Sequence, residues 1–184
     1  MLLAYKYVLV AVMLAEVNFC AENLHLRVKL PVSQEDLRVR LVAPPDVMRF
    51  GGRLETDDYF FGFSGRLRLV VKIRPFGSLT VAEQKDVLST ATSLIGTNEA
   101  YSLATNWLAA MSVDVSLLEQ TNRVAVRQRV AGGTGRGPKK LLPIFYVTWI
   151  RRDRGMVSVS IDGRNKELLE LTLDDESFAS ARLN

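Results

Sequence analysis

The most conspicuous candidate for chemistry in this chain is the glycine-rich segment Gly132–Lys140, G-G-T-G-R-G-P-K-K. A phosphate-binding loop needs the pattern G-x-x-x-x-G-K-[ST] at the start of a helix. Gly132 and Gly137 have this spacing, but Pro138 takes the place of the lysine. A strand pattern follows, so no helix N-terminus is available to receive a phosphate. We therefore expect a glycine-rich hairpin loop.

A second short motif, Gly62-Phe63-Ser64-Gly65-Arg66, has part of the pattern of a nucleophile elbow. The elbow requires glycine where Arg66 stands, and it requires a turn from a strand into a helix. The surrounding residues instead have the pattern of a β-hairpin. No nucleophilic serine is predicted here.

The chain has one cysteine, Cys20, and one histidine, His25. They are too few for a zinc site, and no disulfide can form within one chain. His25 lies in an alternating stretch, where a solvent-facing strand residue is the simpler interpretation. The sequence predicts no catalytic residue, no metal ligand and no bound cofactor, and it favours a non-enzymatic protein. A hydrolase using carboxylates is the least favoured alternative, and the sequence assigns no acid or base role to acidic pairs such as Asp57/Asp58 and Asp174/Asp175.

Basic residues dominate the segment 123–154, where Asp153 is the one acidic residue. If the strands that carry them are neighbours, these charges meet at one sheet face and its loops and attract a polyanion. The candidate anion-binding residues are Arg136, Lys139, Lys140, Arg151 and Arg152. The alternative is that these charges keep the outer face of a sheet soluble and protect its edges.

Composition indicates a globular protein. The chain has 184 residues, of which 48% are hydrophobic and 24% charged, and its formal net charge is +4. This length suits one domain with a substantial core. The weak positive charge leans toward anionic partners but says little about the fold.

The N-terminus has features of an export signal. Lys6 provides a positive charge, and the apolar run Tyr7–Ala15 would span about 14 Å as a helix, well short of a bilayer core of roughly 30 Å. We expect residues 1–21 to form a signal peptide cleaved after Cys20 or Ala21, which gives an exported protein. A retained membrane anchor and a core element of a cytoplasmic protein are the alternatives.

The residues before position 79 have mainly strand patterns. Leu24–Leu30 alternates apolar and polar residues and predicts a half-buried strand, whereas residues 36–41 fit either a strand or a short helix capped by Ser33. Ala43–Asp46 and Gly51-Gly52 are typical of a loop. A hairpin with a turn at Ser64-Gly65 is predicted, with these apolar residues on its inner face: Tyr59, Phe61, Phe63, Leu67, Leu69, Val71 and Ile73.

The middle of the chain predicts helices. Thr80–Glu83 has the form of a capping box, and that helix is expected to end at Gly96. Thr97 is expected to cap the next helix, in which Trp107 is a predicted core anchor. A third, short helix is expected from Asp114 or Ser116 to Gln120. The apolar face of the second helix comprises Ala100, Leu103, Ala104, Trp107, Leu108 and Met111.

The last third returns to strands. Valines alternate with arginines from Arg123 to Val130, and the nearly continuous apolar run Leu141–Ile150 predicts a central strand covered on both faces. A strand over 157–162 and a turn at Asp162-Gly163 follow. Leu169, Leu171 and Leu173 predict the last strand.

These patterns together predict an α+β fold, with one or two antiparallel sheets and about three helices packed on one face. A single domain is expected over residues 22–178, strand-rich at 22–78, helical at 79–122 and again antiparallel at 123–173. Residues 174–184 are expected to be a solvated tail.

The region from Ala100 to Leu173 resembles PepSY-type domains, small exported modules in which a helix packs on an antiparallel sheet. The similarity is clearest at the turn Ile161-Asp162-Gly163 and in Glu167-Leu168-Leu169. The blocks at 103–110, 142–149 and 166–171 are also similar to a family of uncharacterised exported bacterial proteins. The resemblance implies a PepSY/cystatin-like C-terminal half and protein binding or inhibition in an envelope compartment, and it supplies no catalytic residue.

We therefore expect an exported, non-enzymatic protein-interaction or inhibitor-like module whose partner is another protein. Binding of an anionic polymer through the segment 123–154 is the alternative.

Overall fold

A computed structural model describes residues 2–42, 51–64, 66–73, 93–130, 141–150 and 156–173. The chain divides into two compact units, Met1–Ile73 and Arg74–Asn184, called unit 1 and unit 2 below. Helices and antiparallel strands both occur, which confirms the predicted α+β class.

The described residues of unit 1 form one helix and four strands. They are α1 (Leu2–Asn23), β1 (Arg38–Val42), β2 (Gly51–Glu55), β3 (Tyr59–Ser64) and β4 (Arg66–Lys72). The strands are adjacent in chain order, and each is antiparallel to the next.

Helix α1 contributes a stripe of buried residues to unit 1. Met13, Val17, Cys20 and Leu24 are buried at helical spacing, and the helix contacts β4. Val12 on another side of the helix is 54% exposed, so apolar residues lie on more than one face. Among the described helices, none has both the length and the apolar character that crossing a membrane requires.

The segment after α1 is not the strand that its alternation predicts. Leu24–Leu30 pairs with no described strand and instead turns sharply, with His25 at a φ of 50°. The alternation reflects burial of Leu24 and Leu26 against unit 1, while His25 is exposed. Val28 is half-buried and Leu30 is 45% exposed, so burial accounts for only the first half of the alternation.

The next part of unit 1 resolves an open alternative. Ser33 and Asp36 close a turn, in which the Asp36 carboxylate accepts bonds from the Ser33 N–H at 2.9 Å and from its hydroxyl at 2.6 Å. The chain then enters β1 as a strand. The prediction of a loop at Gly51-Gly52 is wrong, because both glycines pair with β1 and β3 at the start of β2. Ala43–Asp46 lies outside the described residues.

The hairpin of β3 and β4 is confirmed, but the residues predicted for its inner face are partly wrong. A β-bulge between Gly62 and Phe63 shifts the register, so that Gly62 pairs with Leu69 and Phe63 with Leu67. Val70, opposite Phe61, is therefore the buried core residue of β4, and Leu69 is only half-buried. One extra residue in a strand reverses the alternation beyond it.

Unit 2 consists of two described helices and four strands. They are α2 (Thr97–Ala110), α3 (Val115–Thr121), β5 (Arg123–Val130), β6 (Leu141–Ile150), β7 (Met156–Asp162) and β8 (Glu167–Leu173). The strands are adjacent in chain order and antiparallel. All four match the predicted strands, and β6 is buried over most of its length on both faces.

The helices of unit 2 differ from prediction in detail. Gly96, not Thr97, is the N-cap of α2, with no side-chain cap, and Thr97 is the first helical residue. The short helix is confirmed, with Asp114 as its cap accepting a bond from Leu117 N at 2.9 Å. Trp107 is only half-buried; the fully buried tryptophan is Trp149 on β6. The helix predicted from Thr80 lies outside the described residues, as do the loop 132–140 and the tail 174–184.

The turn between β7 and β8 is fixed by its backbone and by one ion pair. Gly163 N donates to Pro143 O at 2.7 Å, and Gly163 O accepts from Leu94 N at 2.7 Å. A Cβ atom at Gly163 would lie 2.8 Å from the ring of Phe145. Asp162 is fully buried and accepts three hydrogen bonds from the Arg164 guanidinium, at 2.6, 3.0 and 3.2 Å.

Candidate functional site

Strand β5 is the candidate site, and its residue types explain why it is a strand. Valine occurs at positions 124, 126 and 130, and branched side chains favour the extended backbone. The strand contains neither glycine nor proline, and its eight residues extend over about 27 Å. Among the described strands β5 pairs with β6 alone, so its other edge has no described neighbour.

Pairing with β6 places the charged and apolar residues of β5 on opposite faces. Arg123 and Arg127 lie opposite Ile150 and Tyr146 on one face. On the other face Val124 lies opposite Trp149 of β6, and Val126 lies opposite Val147. This edge therefore presents arginines on one side of the sheet and valines on the other.

Most of the β5 side chains remain accessible. Arg123, Arg127 and Arg129 are exposed, and none forms an ion pair with another described residue. Val124 is 37% exposed and Val130 is 41% exposed. Backbone groups that pair with no described strand, exposed valines and three positive charges therefore lie along one strand.

Near Val130, a side-chain hydrogen bond replaces part of the regular backbone pairing between β5 and β6. Gln128 pairs with Phe145, but Val130 pairs with Leu141, so the intervening β6 residues form an irregularity. Pro143 lies in it, and proline has no N–H for a ladder bond. Gln128 Nε2 donates to Leu142 O at 2.8 Å, which restores a hydrogen bond across the irregularity.

The helices support β6 behind this edge. Glu119 of α3 accepts hydrogen bonds from Trp149 Nε1 at 3.1 Å and from the Tyr101 hydroxyl of α2 at 2.7 Å. The rings of Tyr101 and Trp149 lie 6.4 Å apart, and Trp149 is fully buried. The bond to Glu119 is the main cause that raises the pKa of Tyr101. These contacts fix the strand next to β5.

Unit 1 contains a cleft of about 480 Å³ with charges of both signs. Arg38 pairs with Asp57 at 3.4 Å, and hydrogen bonds from Ser33 lower the pKa of Asp36. An acid catalyst requires a carboxyl group whose pKa is raised toward neutrality. A lowered pKa at Asp36 gives no support for the carboxylate hydrolase.

The structure does not place the sequence-predicted anion-binding residues. Arg136, Lys139, Lys140, Arg151 and Arg152 lie outside the described part of the chain. Within that part, no group of histidine, cysteine and acidic residues has the arrangement of a metal site. The described basic residues of the segment 123–154 are those of β5.

The sequence predicted β5 as a strand and allowed its charges to protect a sheet edge, but it did not show which strand lies at the edge. The available signal was its arginine content, because charged residues are a common feature of edge strands. The pairing order, which the sequence pattern does not contain, decides which strand lies at the end. No protein-family model, no curated protein and no solved structure matches this chain.

Proposed function

We propose that this protein is a non-enzymatic interaction module that binds an extended segment of another protein by strand addition along β5. The observation that supports this proposal is the eight-residue edge of β5, which pairs with β6 alone among the described strands. In strand addition a peptide forms main-chain hydrogen bonds with an open sheet edge, while alternate side chains give specificity.

The physical basis of binding is the outer backbone edge of β5, which pairs with no other strand in the described part of the chain. Each main-chain hydrogen bond contributes about 0.5–1.5 kcal/mol net, so binding requires several such bonds together with apolar contact to offset the cost of association. The exposed part of Val124 adds apolar contact. The bonds from Tyr101 and Trp149 to Glu119 hold β6 in place, so little ordering of the module is needed on binding.

The proposal includes the fold family, the inhibitor-like role and the compartment that the sequence leads us to expect. Contacts of α2 with β5, β6 and β7 support a PepSY/cystatin-like arrangement in which helices pack on one face of the sheet. An inhibitor-like role and export to an envelope compartment are proposed on the sequence resemblance and on the apolar run Tyr7–Ala15. Because Met13, Val17 and Cys20 are buried, export with residues 1–21 retained fits this chain better than export with their cleavage.

The test uses the full chain and a displayed library of short random peptides. Selected peptides should protect the amides of β5 from hydrogen exchange and leave those of β3 unchanged. Protection elsewhere with an unprotected β5 would contradict strand addition.

Neighbouring proline substitutions provide a structural control. In an edge strand successive N–H groups point alternately toward the partner strand and outward. Of Ala125→Pro and Val126→Pro, the variant that loses the outward N–H should stay folded and lose peptide binding. If the folded variant binds as tightly as the unmodified chain, main-chain pairing at this edge is ruled out.

Binding of an anionic polymer is a second candidate function, because Arg123, Arg127 and Arg129 are exposed on one strand. It predicts retention on heparin that falls steeply with salt. Neutralising Arg136, Lys139 and Lys140 together should flatten that dependence. Unchanged retention would contradict the involvement of these residues.

A further inference from the structure

We infer that the segment that adds to β5 has acidic residues on one face and apolar residues on the other. The inference rests on the proposed strand addition and specifies the partner. Residues directly opposite each other in a sheet share a face, so the two faces of β5 dictate the two faces of the incoming strand.

The charged face determines where acidic residues belong. Arg123, Ala125 and Arg127 share a face, since they lie opposite Ile150, Thr148 and Tyr146 of β6. Both arginines are exposed and form no ion pair with another described residue. The partner therefore has acidic residues four positions apart, with a small residue between them opposite Ala125.

The opposite face determines where apolar residues belong. Val124 and Val126 lie beside Trp149 and Val147, which are fully buried in unit 2. A branched or aromatic residue opposite each valine extends this apolar surface by one strand. The pattern of the incoming segment is thus acidic, apolar, small, apolar, acidic.

A second copy of β5 is a poor occupant of this edge. In a symmetric antiparallel pair of β5 strands, each register centred on residues 125 to 128 places at least one arginine directly opposite another. Like charges in direct opposition destabilise a sheet. The edge is therefore protected against its own copy and open to an acidic strand.

The test compares synthetic peptides of equal length with the full chain. The first has the core Glu-Val-Thr-Val-Glu, the second replaces both Glu by Gln, and the third contains the same residues in the order Glu-Glu-Val-Thr-Val. At physiological salt we expect the first to bind roughly 2- to 30-fold tighter than the second, as two cross-strand charge pairs would give. The third should bind more weakly than the first, because its acidic residues fall on both faces.

Two double variants of the protein complete the design. R123Q/R127Q should reduce the affinity for the first peptide to that for the second. R27Q/R38Q changes the net charge equally within unit 1 and should leave both affinities unchanged. All four arginines are exposed, so both variants should fold.

The outcomes separate this inference from the proposed function. If the Gln peptide protects β5 as well as the Glu peptide does, strand addition stands and the acidic partner is wrong. If no peptide protects β5, the proposed function itself fails. Attraction by net charge alone would overturn the inference. In that case the reordered peptide or heparin would bind as tightly as the first peptide, and R27Q/R38Q would weaken binding as much as R123Q/R127Q does.

Discussion

The side chain of Asn18 in α1 pairs with both backbone polar groups of Val32. Asn18 Oδ1 accepts from Val32 N at 2.7 Å, and Asn18 Nδ2 donates to Val32 O at 2.9 Å. The Asn18 amide forms the same two hydrogen bonds with Val32 that a residue of a neighbouring strand would form. It thereby holds the segment after α1 against the helix.

Replacing Asn18 should loosen this segment. We expect Asn18→Ala to lower the free energy of unfolding of unit 1 by about 1–3 kcal/mol, because both backbone groups of Val32 lose their partner. Urea unfolding and limited proteolysis across residues 24–37 are the measurements. Asn23→Ala is the matched control, since the Asn23 bond to Phe19 O is exposed, and it should have an effect below about 0.5 kcal/mol. Equal effects of the two variants would refute the role of the Asn18 pairing.

Removal of α1 tests whether unit 1 folds without it. A chain beginning at Glu22, the product expected from cleavage after Ala21, lacks the buried Met13, Val17 and Cys20. Each buried side chain of this size contributes about 1.5–3 kcal/mol, and the sum approaches the whole stability of a small unit. We expect the amides of β4 to lose their exchange protection while those of β6 keep theirs. Retained protection of β4 would show that α1 is dispensable, as a cleaved signal peptide must be.

The pKa of Tyr101 predicts a pH dependence of stability at high pH. The pKa is raised in the folded chain by the bond to Glu119, and in the unfolded chain it returns to about 10. The stabilisation is therefore fully present below about pH 10 and is lost as the pH rises through the folded-state pKa.

Chemical unfolding of unit 2 from neutral pH to above pH 10 measures this dependence. Tyr101→Phe should be less stable than the unmodified chain by about 1 kcal/mol at neutral pH, because one hydrogen bond is absent. The difference between the two should shrink above pH 10. A constant difference across this range would contradict the assignment to Tyr101.

Because Asp162 is buried and paired with Arg164, we expect removal of the Asp162 carboxylate to reduce the stability of unit 2 strongly. Asp162 is fully buried, so Asp162→Ala removes the carboxylate that accepts hydrogen bonds from the partly buried Arg164 guanidinium. We expect a cost of roughly 3–5 kcal/mol in thermal or urea unfolding of unit 2.

The neighbouring pair of Lys166 and Glu99 is the matched control. Their side chains are 49% and 42% exposed, so Glu99→Ala should cost below about 1 kcal/mol. Similar losses in the two variants would mean that burial of Asp162 does not determine the energetics of this turn.

The sequence predicted the strands of unit 2 well because their side-chain patterns are local. The apolar run Leu141–Ile150 is one example, and Asp114 as the cap of α3 is another. The burial of Val70 was not predictable, since a bulge at Gly62/Phe63 changes the register without a sequence signal of its own. Leu24–Leu30 shows the reverse case, in which alternation is present but no strand forms.

The candidate site could not be predicted from the residues of β5 alone. The arginines and valines of β5 indicated a strand with two different faces, but the outer position of β5 depends on the pairing of all its neighbours. The pairing of Asn18 with Val32 likewise joins residues fourteen positions apart through a side chain. Such contacts leave no periodic trace in the sequence.

The backbone bonds and close contacts of Gly163 have a consequence for recognising relatives of this chain. Its N–H bonds to Pro143 O and its carbonyl accepts from Leu94 N, and a Cβ atom would lie 2.5 Å from Ser93 Oγ and 2.8 Å from the ring of Phe145. We therefore expect a homologue that retains this turn together with Ser93 and Phe145 to keep glycine here. Position 163 can thus serve as a fixed landmark for aligning very distant sequences.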